Sequence, residues 1–233
     1  GLSKGIVMTQ CKRVVSIGAH SLDAELLGGP LLIKYAQAGA RVTCSNVVMG
    51  RLEGDEHTAE EKEAYIQQVH CESKAAAAKL GGDCRWLGYS SATMPSTDEF
   101  ADELEKWFED EHVDLVITHW RGSMHPRHVA THDAVTQAVK KMRLKGSHIQ
   151  LLYGLTFEDL NGFIPQAYFT LTQEEVDRWM DALSEYAIFR GEVNDFPYRD
   201  YYPTNLRVRD IESGSGEPTV CYMFPSLVMN ELL

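Results

Sequence analysis

Two short stretches of the sequence place imidazoles and a carboxylate at spacings that suit a metal ion. His20 and Asp23 lie three apart in AHSLDAE (19–25), just past a β-branched run, and His125 and His128 lie three apart in HPRH (125–128), just past another. At a strand end that opens into a helix, side chains three apart turn toward one point. A catalytic zinc takes three protein ligands of this kind, imidazole nitrogen or carboxylate oxygen, and keeps a fourth position for water. His20, Asp23 and His128 are therefore the expected ligands of a zinc or other divalent ion, with His125 beside it to stabilise an oxyanion or donate a proton. Either pair alone is more often a cap or a surface pair. Their joint placement at two strand ends is what favours a metal. His128 and His132, at i and i+4, form a second-ranked pair that needs a carboxylate from elsewhere.

The residues around these suggest a substrate. Arg127 and Arg121 could pair with a carboxylate or phosphate on a ligand. A salt bridge from Arg127 to Asp133 competes on equal terms. Trp120 could wall a sugar ring or simply pack. The aromatic segment 196–203 could cover a pocket, build a subunit contact or pack as a plain tail, the last being the first choice.

The elements that must hold these residues alternate. Strands are expected at 13–18, 41–49, around 84–87, 113–118 and near 149–153. Helices are expected at 26–38, 59–80, 98–111, 128–145 and about 172–189, the third capped by Ser96 or Thr97. That order implies a Rossmann-like three-layer α/β/α fold with a mostly parallel sheet. Ligands of such sheets bind at the carboxyl ends of the strands, which is where both His pairs fall. One domain over 1–233 is expected, its core about 13–190 and a tail, 191–233, packed on it.

Composition narrows the partners. The 22 basic and 34 acidic residues leave a net charge of −12, so the surface repels phosphate backbones and anionic lipid heads. Nucleic acid and membranes are not expected partners; a small molecule is. Residues 1–13 lack the apolar stretch of a signal peptide and no apolar run reaches bilayer length, so a cytoplasmic location is expected. The five cysteines, at 11, 44, 71, 84 and 221, show no CxxC spacing and read as reduced thiols.

GAHSLDAELLGG resembles the GAHPDDAELGCGG signature of the PIG-L/LmbE-like zinc-dependent N-deacetylases. HPRHVATHDAV resembles their HPDHRAxHRAV signature, and ESKAAAAKLGG their ExRxAAxxLGV helix end; the similarity spans about 13–145. The resemblance implies a Rossmann-like fold, one zinc, and hydrolysis of an N-acetyl or related amide on an amino sugar or sugar conjugate. It implies His20, Asp23 and His128 as ligands and His125 as the oxyanion or proton-donating group. Ring assemblies among relatives leave room for a homo-oligomer. The sequence departs from the pattern where the family's general base stands, at Leu22, and at Arg127, which replaces an Asp. Its loop after strand two reads VVMGRLEGD in place of a TDGE loop. Another carboxylate would then serve as base, Glu25 being the first candidate and Glu53 and Asp55 the others. For Glu25 a first-turn acid favourable to the helix dipole is the stronger competing reading. Alternatively the chain is a pseudoenzyme that binds metal and a sugar-like ligand, or a metal-dependent hydrolase or lyase with a changed substrate.

Overall fold

A computed structural model describes residues 11–90 and 92–225. Most of the opening stretch 1–13 and the end of the tail lie outside the described residues. Five strands, β1 (Arg13–His20), β2 (Arg41–Val48), β3 (Asp83–Tyr89), β4 (Leu115–His119) and β5 (Gln150–Gly154), form a parallel sheet in the order β3-β2-β1-β4-β5. The α/β fold with a parallel central sheet is as the alternation of the sequence implies.

Each of the first four strands feeds a helix: α1 (Asp23–Gln37), α2 (Ala59–Lys79), α3 (Thr97–Asp110) and α4 (Pro126–Leu144). After β5 come a short strand β6 (Ala167–Thr170), α5 (Gln173–Leu183), α6 (Tyr198–Ser213) and β7 (Thr219–Tyr222), β6 and β7 forming an antiparallel pair. Among the described residues no helix is long and apolar enough to cross a membrane.

The strands carry alternating faces. Val14 and Leu115 join one core with α1, α2, α5 and α6, while Val15, Ile17 and Val116 join a second with α3 and α4. Apolar residues on both faces of β1 and β4 mark these as the central, doubly covered strands. Because β1 pairs with β2 on one side and β4 on the other, the chain reverses direction across the sheet at β1/β4. A crevice opens there at the strands' carboxyl ends.

Close backbone approach fixes the top of β1. A Cβ on Gly18 would stand 2.3 Å from the amide nitrogen of Ala24, so only glycine lets the first turn of α1 sit on the strand end. The Ser16 hydroxyl donates to the Ala24 carbonyl at 2.7 Å and locks the same contact. Leu22 bridges strand and helix at φ 80°, a left-handed conformation costly for a leucine, and its side chain is buried in the first core.

The tail folds further than expected. Residues 198–213 are helical, and Met223 pairs with Tyr153 of β5 through two backbone hydrogen bonds, at 2.6 and 2.9 Å. α5 ends at Leu183, capped by Ser184, and not near 189. The apolar spacing persists past that end because Tyr186 and Phe189 are buried in the following turns.

Candidate active site

His20 and His119 end the two central strands, and Asp23 opens α1. The Asp23 Oδ2 atom accepts the His20 backbone N–H at 2.9 Å, lies 3.2 Å from His20 Nδ1 and lies 3.3 Å from His128 Nε2. The His125 ring lies 4.5 Å from that of His20, centroid to centroid, and stacks on His128 at 4.7 Å. The four residues picked out by spacing are thus neighbours in one crevice. Two overlapping sets of donor atoms converge there, His20 with His125 and His128, and Asp23 with His119 and His128.

Proton positions follow from the partners. His119 Nε2 accepts the Ala19 backbone N–H at 2.9 Å, so its Nδ1 carries the proton and donates to Asp159 Oδ2 at 2.8 Å. His119 therefore has no lone pair free for an ion. It is a support. His128 Nδ1 lies 2.7 Å from Asp159 Oδ1 and donates to it, which leaves Nε2 with a lone pair. That Nε2 is buried, has no hydrogen-bond partner, and faces the anionic Asp23 Oδ2. Two lone-pair atoms buried 3.3 Å apart require a positive charge between them. A proton or a metal ion can supply it. The set fits a divalent ion: imidazole and carboxylate donors are its usual ligands, and Asp159 behind His128 is the carboxylate that orients a metal-ligating histidine.

The electrostatics agree with this tension. Burial opposes charge on His128, but Asp23 and Asp159 outweigh it and push the group up to about 10. Burial likewise opposes charge on Asp23 and Asp159, yet the surrounding imidazoles hold both carboxyls well below their usual range. His125 moves the other way, lowered to about 4 by burial and by His20 and His128. It stays neutral.

Three residues here are invisible to sequence spacing: His119, Asp159 and Glu158. Asp159 is fully buried and also accepts from the Thr156 hydroxyl at 3.0 Å, so the turn 156–159 after β5 aims it at both imidazoles. Glu158 is half-buried, makes no hydrogen bond among the described residues, and places Oε1 4.0 Å from His128 Nε2. Burial raises its carboxyl above the usual range, against the pull of His128. The one available signal was a Glu-Asp pair just beyond a strand end.

Other expected residues go elsewhere. Glu25 is fully buried, accepts from Tyr186 Oη at 3.0 Å, and is raised to about 7 by that burial. Two positions after Asp23 on a helix, it points about 200° around the axis, into the core and away from the donor cluster. Glu53 and Asp55 are exposed loop residues, Glu53 beside Arg51. Arg121, expected to meet a ligand anion, pairs with Asp133 at 3.0 Å, and the alternative bridge from Arg127 to Asp133 is not formed. Trp120 packs against His132 and Tyr153 and donates to the Asn161 carbonyl at 2.8 Å. His132 turns to Asp133 and Trp120 and enters neither donor set.

The family model described as PIG-L: GlcNAc-PI de-N-acetylase matches residues 15–139. No curated protein sequence matches the chain. Among solved structures, the zinc-inhibited form of teicoplanin deacetylase Orf2 is similar at TM-score 0.70 and 16% identity, over 93% of this chain and 100% of that one. N,N'-diacetylchitobiose deacetylase from Pyrococcus horikoshii is similar at 0.71 and 16%, over 92% and 84%. GalB, the 4-carboxy-2-hydroxymuconate hydratase from Pseudomonas putida KT2440, is similar at 0.76 and 14%, over 95% and 100%. At these identities the likeness is one of fold.

Proposed function

The chain belongs to the PIG-L: GlcNAc-PI de-N-acetylase family, and we propose that it is a divalent-metal-dependent hydrolase cleaving an N-acyl bond, N-acetyl foremost, of a small polar substrate such as an amino sugar or sugar conjugate. The observation that carries this is the buried pair of His128 Nε2 and Asp23 Oδ2, two donor atoms 3.3 Å apart that need a positive charge between them. His20, Asp23 and His128 would hold the ion, zinc being the first choice from the donor types. A divalent ion there supplies Lewis acidity, polarising a carbonyl and acidifying water.

The chain's own groups supply the rest. His125, neutral in its setting, donates a hydrogen bond to the oxygen that gains charge as the carbonyl is attacked. Glu158, the half-buried carboxylate beside His128, takes the proton of the attacking water and returns it to the leaving amine. It stands in for the family base that Leu22 lacks. Asp159 positions His128 and holds its Nδ1 proton.

The test is metal analysis of the purified protein with an acetate-release assay across N-acetylated compounds. Wild type is expected to hold about one ion per chain, and Asp23→Asn and His128→Gln to lose it together with activity. Full metal content without release from any amide would favour a second reading. In it the same crevice binds a ligand without cleaving it, or adds water to a double bond, as the name of GalB describes for that enzyme; Leu22 at the base position favours either.

A further inference from the structure

Arg127 lies in the first turn of α4, directly before His128, and is half-buried. Its side-chain contact is with the site: one guanidinium nitrogen lies 3.4 Å from His20 Nε2. It makes no ion pair among the described residues. The nearest acid in sequence, Asp133, is already taken by Arg121 at 3.0 Å and by His132 at 2.9 Å. A guanidinium carries five donors and never gives up its charge, so one long contact to an imidazole nitrogen, with no carboxylate paired to it, leaves it largely unanswered. Its place on the helix adds to the cost. A cation in a first turn opposes the helix dipole, and α4 has no acid in that turn to compensate.

We propose that the missing counter-charge arrives with the substrate: Arg127 receives a carboxylate or phosphate group carried by the molecule whose reacting bond lies at the donor cluster. The substrate is then an acidic N-acyl compound and not a neutral amino sugar. Arginine's planar fork suits either oxyanion through paired N–H donors. This assignment rests on the hydrolase reading for the identity of the crevice as the substrate site.

Binding is measured by calorimetry on the metal-loaded full chain with matched pairs that share the amide and differ in charge. N-acetylglycine against N-acetylglycinamide tests a carboxylate, and a phosphorylated N-acetylglucosamine against N-acetylglucosamine tests a phosphate. In wild type the acid of one pair is expected to bind roughly tenfold or more tightly than its neutral partner, the effect of a charge-assisted hydrogen bond. Arg127→Gln is expected to erase that preference and Arg127→Lys to restore part of it. Arg121→Gln, which disturbs only the bridge to Asp133, is expected to leave it unchanged. Circular dichroism reports whether each variant is folded, and Arg127→Lys serves if the glutamine variant is not. Equal binding within both pairs, no binding by any member, or a preference that survives in folded Arg127→Gln overturns the proposal. A preference without acetate release sinks the hydrolase reading and leaves the anion site standing, while release without preference does the reverse.

Discussion

Asp23 and Glu25 are two carboxylates two positions apart, and the helix separates their fates. One meets imidazoles that favour its charge; the other meets Tyr186 and the core. Because the Glu25 carboxyl is raised to about 7 when folded, against about 4.3 in an open chain, the folded state favours the protonated form. Its contribution to stability is fully present below the unfolded value and is lost as pH rises through 7. The loss is on the order of 4 kcal/mol. Glu25→Gln keeps the hydrogen bond from Tyr186 without the charge, so its urea midpoint relative to wild type is expected to rise between acidic and mildly alkaline pH. An unchanged difference between the two conditions would show that Glu25 is not the group titrating. For Glu158→Gln the expectation is a kcat lower by about 10²–10⁴, the usual worth of a positioned base, with metal content unaltered. Metal loss in that variant would instead make Glu158 a ligand. His20, Asp23, His125 and His128 were legible because each pair is local, three residues apart on a strand-to-helix turn. Asp159 was not, since it reaches His128 and His119 across 31 and 40 residues, a distance at which spacing carries no information.

Among the elements, those with local signals came through and those held by distant contacts did not. Ser96 and Glu99 form a reciprocal capping box at α3, and Thr172 and Glu175 form another at α5; such signals are written in four residues. β6 and β7 are four residues each, too short for alternation to show, and they exist because they pair with one another across α5 and α6. α6 holds Pro203 and a run of tyrosines, a composition that reads as irregular until Tyr198, Tyr202 and Leu206 are seen buried along one face. Gly18 is the element-scale device on which the site depends. Gly18→Ala inserts a methyl group 2.3 Å from the Ala24 amide and must push α1 off β1, at a cost of about 1–3 kcal/mol for overpacking. Chemical denaturation would measure that cost, and metal content should fall with it because Asp23 is carried on the displaced turn. A variant as stable as wild type with full metal would mean that the turn has room to yield.

For the molecule as a whole, the sheet order β3-β2-β1-β4-β5 predicts where the site lies before any side chain is considered, since the crevice at β1/β4 is where the connections diverge. The alternating strands and helices of the first two thirds made that sheet legible. What the sequence concealed was how the last third closes on it. Met223 is bonded to Tyr153 in β5, and β7 pairs with β6, so the segment running from β5 to β6, which carries Glu158 and Asp159, is anchored at both ends by a single late stretch of chain. β7 is thus a clasp on the loop that carries Glu158 and Asp159, although no residue of β7 belongs to a donor set. Damage to that strand, by proteolysis or by a proline that breaks its ladder, would be felt first as a slackened grip on the two histidines that Asp159 steers, long before the sheet itself came apart.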